Sequence, residues 1–217
     1  MMTLESEVIM SIVNDVTNTR PNQRLDSTAA LHSVTGAMTA QERDLLLEML
    51  VSSQQRVIAA TVGLGLNQWT FDPGADRWSV AQCAEHLALS EDALLGIVRK
   101  QVLESAANPE AAATARGRDG IVVGAMRDRS QRHKTFDFLV PQAIASSPAA
   151  FINDFLVKRA ETMQYVRESS DNLHHHFAPL GPLGDLDGYQ WLLLLASHTE
   201  RHVAQMEEVK AESGYPE

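Results

Sequence analysis

Two histidines set four apart, His198 and His202, carry the clearest chemical signal in the chain. On a helix, positions i and i+4 lie on one face, so both imidazoles can reach the same ion. The spacing alone proves little: 8 histidines among 217 residues give about 0.3 such pairs by chance. The context is more telling, because the pair continues an apolar stripe through Trp191 and Leu195 and so points into a core. A buried imidazole must find hydrogen bonds or a metal, which leaves two readings open, a metal site or core histidines bonded to carboxylates or water. The stretch reads His-Thr-Glu-Arg-His, with Glu200 about 200° round the helix from His198, so the general-base glutamate of a zinc-protease helix is missing.

A third ligand is needed, and His86 is the best candidate. It sits about two turns into an earlier helical pattern, at the border of its apolar stripe. Its height matches that of His202 within one turn if the two helices are antiparallel, and nearly as well if they are parallel. Glu85 and Glu91 flank it, as carboxylates to orient an imidazole or as ordinary solvated helix charges. Cys83, one turn before His86, could reach the same ion or a thiol substrate, although a place under the helix cap already accounts for it. The run His174–His176 reads as a solvated loop or a surface chelator. Three neutral imidazoles would leave a divalent ion with open positions, the coordination of a reactive site. Zn, Ni, Fe and Mn all suit such ligands. Affinity should then fall as pH drops through about 6.5.

The elements that must position these residues follow from the prolines. They stand at 21, 73, 109, 141, 148, 179, 182 and 216 and leave four long proline-free stretches, which argues for four helices. Thr39 with Glu42 and Ser79 with Gln82 read as capping boxes opening the first two, and Trp78 can staple onto Cys83. Ser147 followed by Pro148 opens the third, and the fourth runs from about Asp187. Trp69 and Trp78 are expected to pack the loop joining helices one and two. Between helices two and three lies a long crossover, roughly Ser105 to Ser146, in which Ile121 to Val123 reads as a short strand or buried turn. A connection of that length lets helices two and three run parallel. The expected fold is all-α: an up-down-down-up four-helix bundle over residues 38–217. Residues 1–37 form an N-terminal extension, a short helix on a linker, packed on the bundle or on a neighbouring subunit of a homodimer.

The stretch RWSVAQCAEHLALSE around Trp78 to Glu91, with GYQWLLLLASHTERHVAQMEE at 188–208, resembles the DinB-like (DinB/YfiT) superfamily. Its pattern is Trp-Ser on helix two followed by a histidine in a His-Leu pair, then H-x2-R-H-x2-Q on helix four. The resemblance covers roughly residues 38–212. It implies the four-helix bundle and one divalent metal on a histidine triad, here His86, His198 and His202. Arg201 and Gln205 also match. Gln205 stays on the metal side, within reach of a metal-bound water, whereas Arg201 faces a partner helix or solvent.

The resemblance implies a metal-dependent S-transferase for a low-molecular-weight thiol, or a hydrolase, acting on a small molecule. The alternative is a non-catalytic metal-binding or stress-associated protein. The absence of a convincing general base weighs more against hydrolysis than against thiol transfer. In the enzyme reading, the crossover from His133 to Pro141 borders the metal, with Lys134 or Arg132 placed to receive a carboxylate. Charge and composition exclude other classes. With 18 basic against 28 acidic residues the formal charge is −10, which is unsuited to nucleic acid. No apolar run approaches a membrane span. The N-terminus lacks the basic and apolar regions of a secretory signal, so the expected location is cytoplasmic.

Overall fold

The computed structural model describes residues 36–74, 77–115, 117–130, 135–142 and 147–217. The expected N-terminal extension therefore lies almost wholly outside the described residues. What is described is overwhelmingly helical. In chain order the elements are α1 (Ala40–Thr61), α2 (Leu66–Trp69), α3 (Val80–Ile97), α4 (Pro109–Ala115), α5 (Asp119–Arg127), α6 (Pro148–Glu168), β1 (Phe177–Pro179), β2 (Asp185–Asp187) and α7 (Gly188–Lys210). A π-helical turn, Val98–Val102, prolongs α3. The strands form one small antiparallel pair just before α7, with Ala178 opposite Leu186. Among the described residues no helix is long and apolar enough to cross a membrane.

The helix starts are where the sequence places them, for local reasons. The Thr39 hydroxyl accepts from Glu42 N–H at 3.2 Å while the Glu42 carboxylate accepts from Thr39 N–H at 2.8 Å. Ser79 and Gln82 exchange the same pair of bonds at the head of α3. At α6, Ser147 caps Ala150 N–H and Pro148 fills the first helical position. Asp187 and Gln190 form a further capping box on α7. Each box satisfies donors that a helix end would otherwise leave open.

The four long helices α1, α3, α6 and α7 pack in a closed ring of contacts, α1 on α7, α7 on α3, α3 on α6 and α6 on α1. Their apolar faces bury two clusters. One holds Leu46 and Leu50 of α1, Leu94 and Leu95 of α3, Met163 and Val166 of α6, and Trp191 to Ala196 of α7. The other holds Val57, Leu87, Phe155 and Val203 with their neighbours. On every one of the four helices a polar residue stands between the two sets: Ser53, Glu91, Arg159 and Thr199. They meet. The Arg159 guanidinium, fully buried, donates to both Glu91 oxygens at 2.7 and 2.8 Å, to Ser53 Oγ at 2.8 Å, to the Leu50 carbonyl at 2.9 Å and to Thr199 Oγ1 at 2.7 Å. A buried charge persists only when paired and hydrogen-bonded in this way.

The crossover differs from the expected loop. Ile121 to Val123 lie inside helix α5 and not in a strand, with Val122 buried against α7. Val123 and Met126 pack beside it, an apolar face too short to announce a helix in the sequence. The end of α5 and the segment after it are held to α7 by three hooks: Arg127 pairs with Glu200, Arg129 pairs with Glu208, and Arg201 donates to the carbonyls of Met126 and Asp128. Arg201 thus faces a partner element, as expected.

Candidate metal centre

Helices α3 and α7 bring His86, His198 and His202 together. Their rings lie 4.5–5.0 Å apart by centroid, and their ligand atoms fall within 4.8 Å of one another. The nitrogens that converge are all Nε2: His198 Nε2 is 3.1 Å from that of His86 and 3.1 Å from that of His202. His86 and His202 are buried and His198 half-buried.

The far nitrogens fix the tautomers. His86 Nδ1–H donates to the Leu139 carbonyl at 2.8 Å, an acceptor that can take only a proton. His202 Nδ1–H donates to Gln205 Oε1 at 3.0 Å. Both rings therefore aim an Nε2 lone pair at the centre of the cluster, the arrangement in which outer hydrogen bonds orient metal-binding imidazoles. Burial disfavours the charged form of all three. It pushes His86 down against the opposing pull of the Leu139 bond, pushes His198 down to about 3 with help from His86 and Arg201, and holds His202 well below the ordinary histidine value. Three neutral imidazoles converging through Nε2 suit a cation. Among the described residues, no carboxylate or thiolate joins them.

Other side chains occupy places the sequence left open or misassigned. Trp78 packs against the histidines as well as the loop, its indole 4.9 Å from His86 and stacked on His202 at 5.9 Å. Its position one residue before the α3 cap was the available signal. Ser90, one turn after His86 and on the same face, places Oγ 3.4 Å from His86 Nε2. The Leu139 carbonyl had no signal at all, because a backbone acceptor carries no residue type. Glu91 does not orient an imidazole and is not solvated; both its oxygens serve Arg159, and one also accepts from Thr162. Glu85 accepts from Gln142 N–H at 2.8 Å and so ties the crossover to α3. Cys83 is fully buried in the apolar cluster, its thiol pushed up to about 12 by burial, so it is a neutral core group. Arg132, His133 and Lys134 lie outside the described residues.

The His174–His176 run is not a solvated loop. His174 is buried, donating from Nδ1 to Asp187 at 2.9 Å and from Nε2 to Glu42 at 3.3 Å. Burial opposes its charge, but the two carboxylates outweigh that and push it up to about 9. His176 Nδ1 donates to the Ser105 carbonyl. Two surface cavities of about 410 and 400 Å³ lie elsewhere, lined by residues such as Arg99 and Tyr165 or Asn108 and Arg118, and neither borders the three histidines.

No curated protein and no solved structure matches the chain. A family model described as the DinB superfamily matches residues 49–206, a span that takes in α3, the crossover and nearly all of α7 with the three converging histidines. That span is well over half of the chain, which therefore belongs to the DinB superfamily.

Proposed function

We propose that His86, His198 and His202 hold one divalent metal ion with open coordination positions, and that the protein uses it to act on a small molecule. The observation that carries this reading is the convergence of three Nε2 atoms, two of them on rings, His86 and His202, whose Nδ1 protons are engaged at Leu139 and Gln205. A set of three neutral nitrogens and no protein anion is the donor pattern of reactive sites, whereas closed structural sites carry four protein ligands. The ion, when bound, supplies a positive charge that stabilises a thiolate or hydroxide at neutral pH. The chain's own residues do the rest. Leu139 and Gln205 orient the imidazoles, Trp78 walls one side, and burial keeps the rings unprotonated.

Transfer of a low-molecular-weight thiol is the reaction this site suits best. Neither Glu85 nor Glu91 bonds an imidazole, so a carboxylate general base, which hydrolysis requires more than thiol transfer does, has no candidate among them. We also read residues 38–217 as one up-down-down-up four-helix bundle. Its support is the order of the two apolar clusters, which α1 and α7 enter in one sequence and α3 and α6 in the reverse.

The test is elemental analysis of protein purified without a histidine tag, followed by a screen of thiols against small electrophiles. One equivalent of metal in the wild type and in His175→Ala, with none in His202→Ala, is the expected result. Equal metal in wild type and His202→Ala would remove the site. Stoichiometric metal with no turnover across the screen would leave a binding protein.

A further inference from the structure

Serine and threonine inside a helix usually return the hydroxyl proton to their own helix, three or four residues back. This chain follows that habit at four buried helical positions, while Thr162 gives its proton to the Glu91 carboxylate at 2.8 Å. Ser53 donates to the Leu50 carbonyl, Thr61 to that of Val57, Ser197 to that of Leu193 and Thr199 to that of Leu195, at 2.7–3.2 Å. Ser90 departs from it. It is 1% exposed, and its hydroxyl lies against His86 Nε2 at 3.4 Å, a long and weak contact for an O–H donor. That nitrogen is the one that faces the other two imidazoles, and its lone pair is available because Nδ1 carries the proton.

We propose that Ser90 is a binding residue for whatever molecule completes the metal's coordination, donating its hydroxyl proton to that molecule's anionic donor atom. The inference rests on the metal reading above and adds to it a residue and a preference. Once an ion takes the His86 lone pair, the Ser90 proton loses its present acceptor. A buried hydroxyl with no acceptor is costly, so it turns either to a carbonyl of its own helix or to the atom bound beside His86. A hydrogen bond to an anion is stronger than one to a neutral group. The site therefore prefers an anionic donor, such as a thiolate or an oxyanion, over a neutral one. Ser90 does not hold the ion, since three imidazole nitrogens already converge on it and a neutral hydroxyl is a poor ligand beside them.

Cobalt(II) and azide separate these roles in the full chain. Cobalt is added to metal-free wild type, Ser90→Ala and Ser90→Thr, and its visible absorption is titrated with azide as the anionic probe. All three variants should keep the helical signal and bind one cobalt per chain. Azide should bind Ser90→Ala about tenfold more weakly, the loss of one charge-assisted hydrogen bond. Ser90→Thr, which keeps the hydroxyl, should stay within about threefold of wild type. Equal azide affinity in wild type and cobalt-loaded Ser90→Ala would overturn the proposal and leave the metal site intact. Loss of cobalt from Ser90→Ala, as from His202→Ala, would also overturn it, by placing Ser90 in the ion's own support. Failure of wild type to bind cobalt, seen before any azide is added, would refute the metal reading itself and this inference with it.

Discussion

Arg159→Met is the substitution whose cost the structure specifies best. The guanidinium makes five hydrogen bonds to groups on α1, α3 and α7 and sits 5.0 Å from the Phe155 ring. Methionine fills much of the same volume but leaves Glu91, 2% exposed, with only the Thr162 hydroxyl as a partner. Removing one member of a buried pair costs about 3–5 kcal/mol, chiefly through the stranded charge. For a chain of this size each kcal/mol moves the melting temperature by about 2–4 °C, so a fall of roughly 6–20 °C is expected. The double variant Arg159→Met/Glu91→Leu should behave differently. It removes both charges, while Ser53, Thr199 and Thr162 keep their own-helix bonds to Leu50, Leu195 and Lys158. Its stability should lie within about 1–2 kcal/mol of wild type. Urea unfolding followed by far-ultraviolet circular dichroism measures both. A single variant costing under about 1 kcal/mol, or a double variant as unstable as the two singles summed, would refute the reasoning.

Metal should raise the melting temperature of the wild type, since it bridges α3 and α7 of the folded state, while chelation should leave the helical signal intact; a random-coil spectrum in chelator would show the ion to be structural. Metal occupancy should persist well below the pH 6.5 at which ordinary imidazoles protonate, because burial already holds all three rings neutral; a release midpoint at or above 6.5 would contradict this. His174, whose folded pKa is raised to about 9, contributes stability that is full below 6.5 and lost as pH rises through 9, on the order of 3 kcal/mol. His174→Gln should flatten that alkaline slope in urea titrations. The metal-free wild type should also lose stability as pH falls below 6.5, because its unfolded state then binds protons that the buried triad refuses, and His198→Phe should reduce that acid slope.

Much of this was legible in the sequence, and the parts that were share a physical cause. Capping boxes at Thr39 and Ser79 and the Ser147-Pro148 start are local, so each could be read from four residues. Period and stripe put His198 and His202 on one face, which a helix builds locally, and made His86 a candidate, while the full triad was what the family resemblance implied. What escaped was set by tertiary contact. Arg159 and Glu91 look like surface charges until four helices close around them. His174 looks solvated until Glu42 and Asp187, 132 and 13 residues away, flank it. Helix α5 has too short a pattern to call for itself, and its burial against α7 stabilises it.

The chain buries imidazoles in two opposite states, and the acceptors decide which. Around His174 both ring nitrogens face carboxylates, so two protons are wanted and the ring is charged. Those carboxylates, Glu42 and Asp187, are themselves capping residues of α1 and α7, so the imidazolium also joins two helix starts whose N–H groups help carry the negative charge. Around His86 and His202 the far nitrogens face a carbonyl and an amide oxygen, which take one proton each and return no charge. Burial then has nothing opposing it strongly, and the near nitrogens keep their lone pairs. The difference is one of acceptor charge and not of depth, since His174 and His202 are both nearly inaccessible at 3% and 7%. Around His174 both ring nitrogens are already spent on carboxylates, whereas neutral acceptors for His86 and His202 leave two lone pairs pointing at one place, beside Nε2 of His198. The same residue type thus fastens helix ends with His174 and, with His86, His198 and His202, forms a cluster between α3 and α7 that could hold a metal ion.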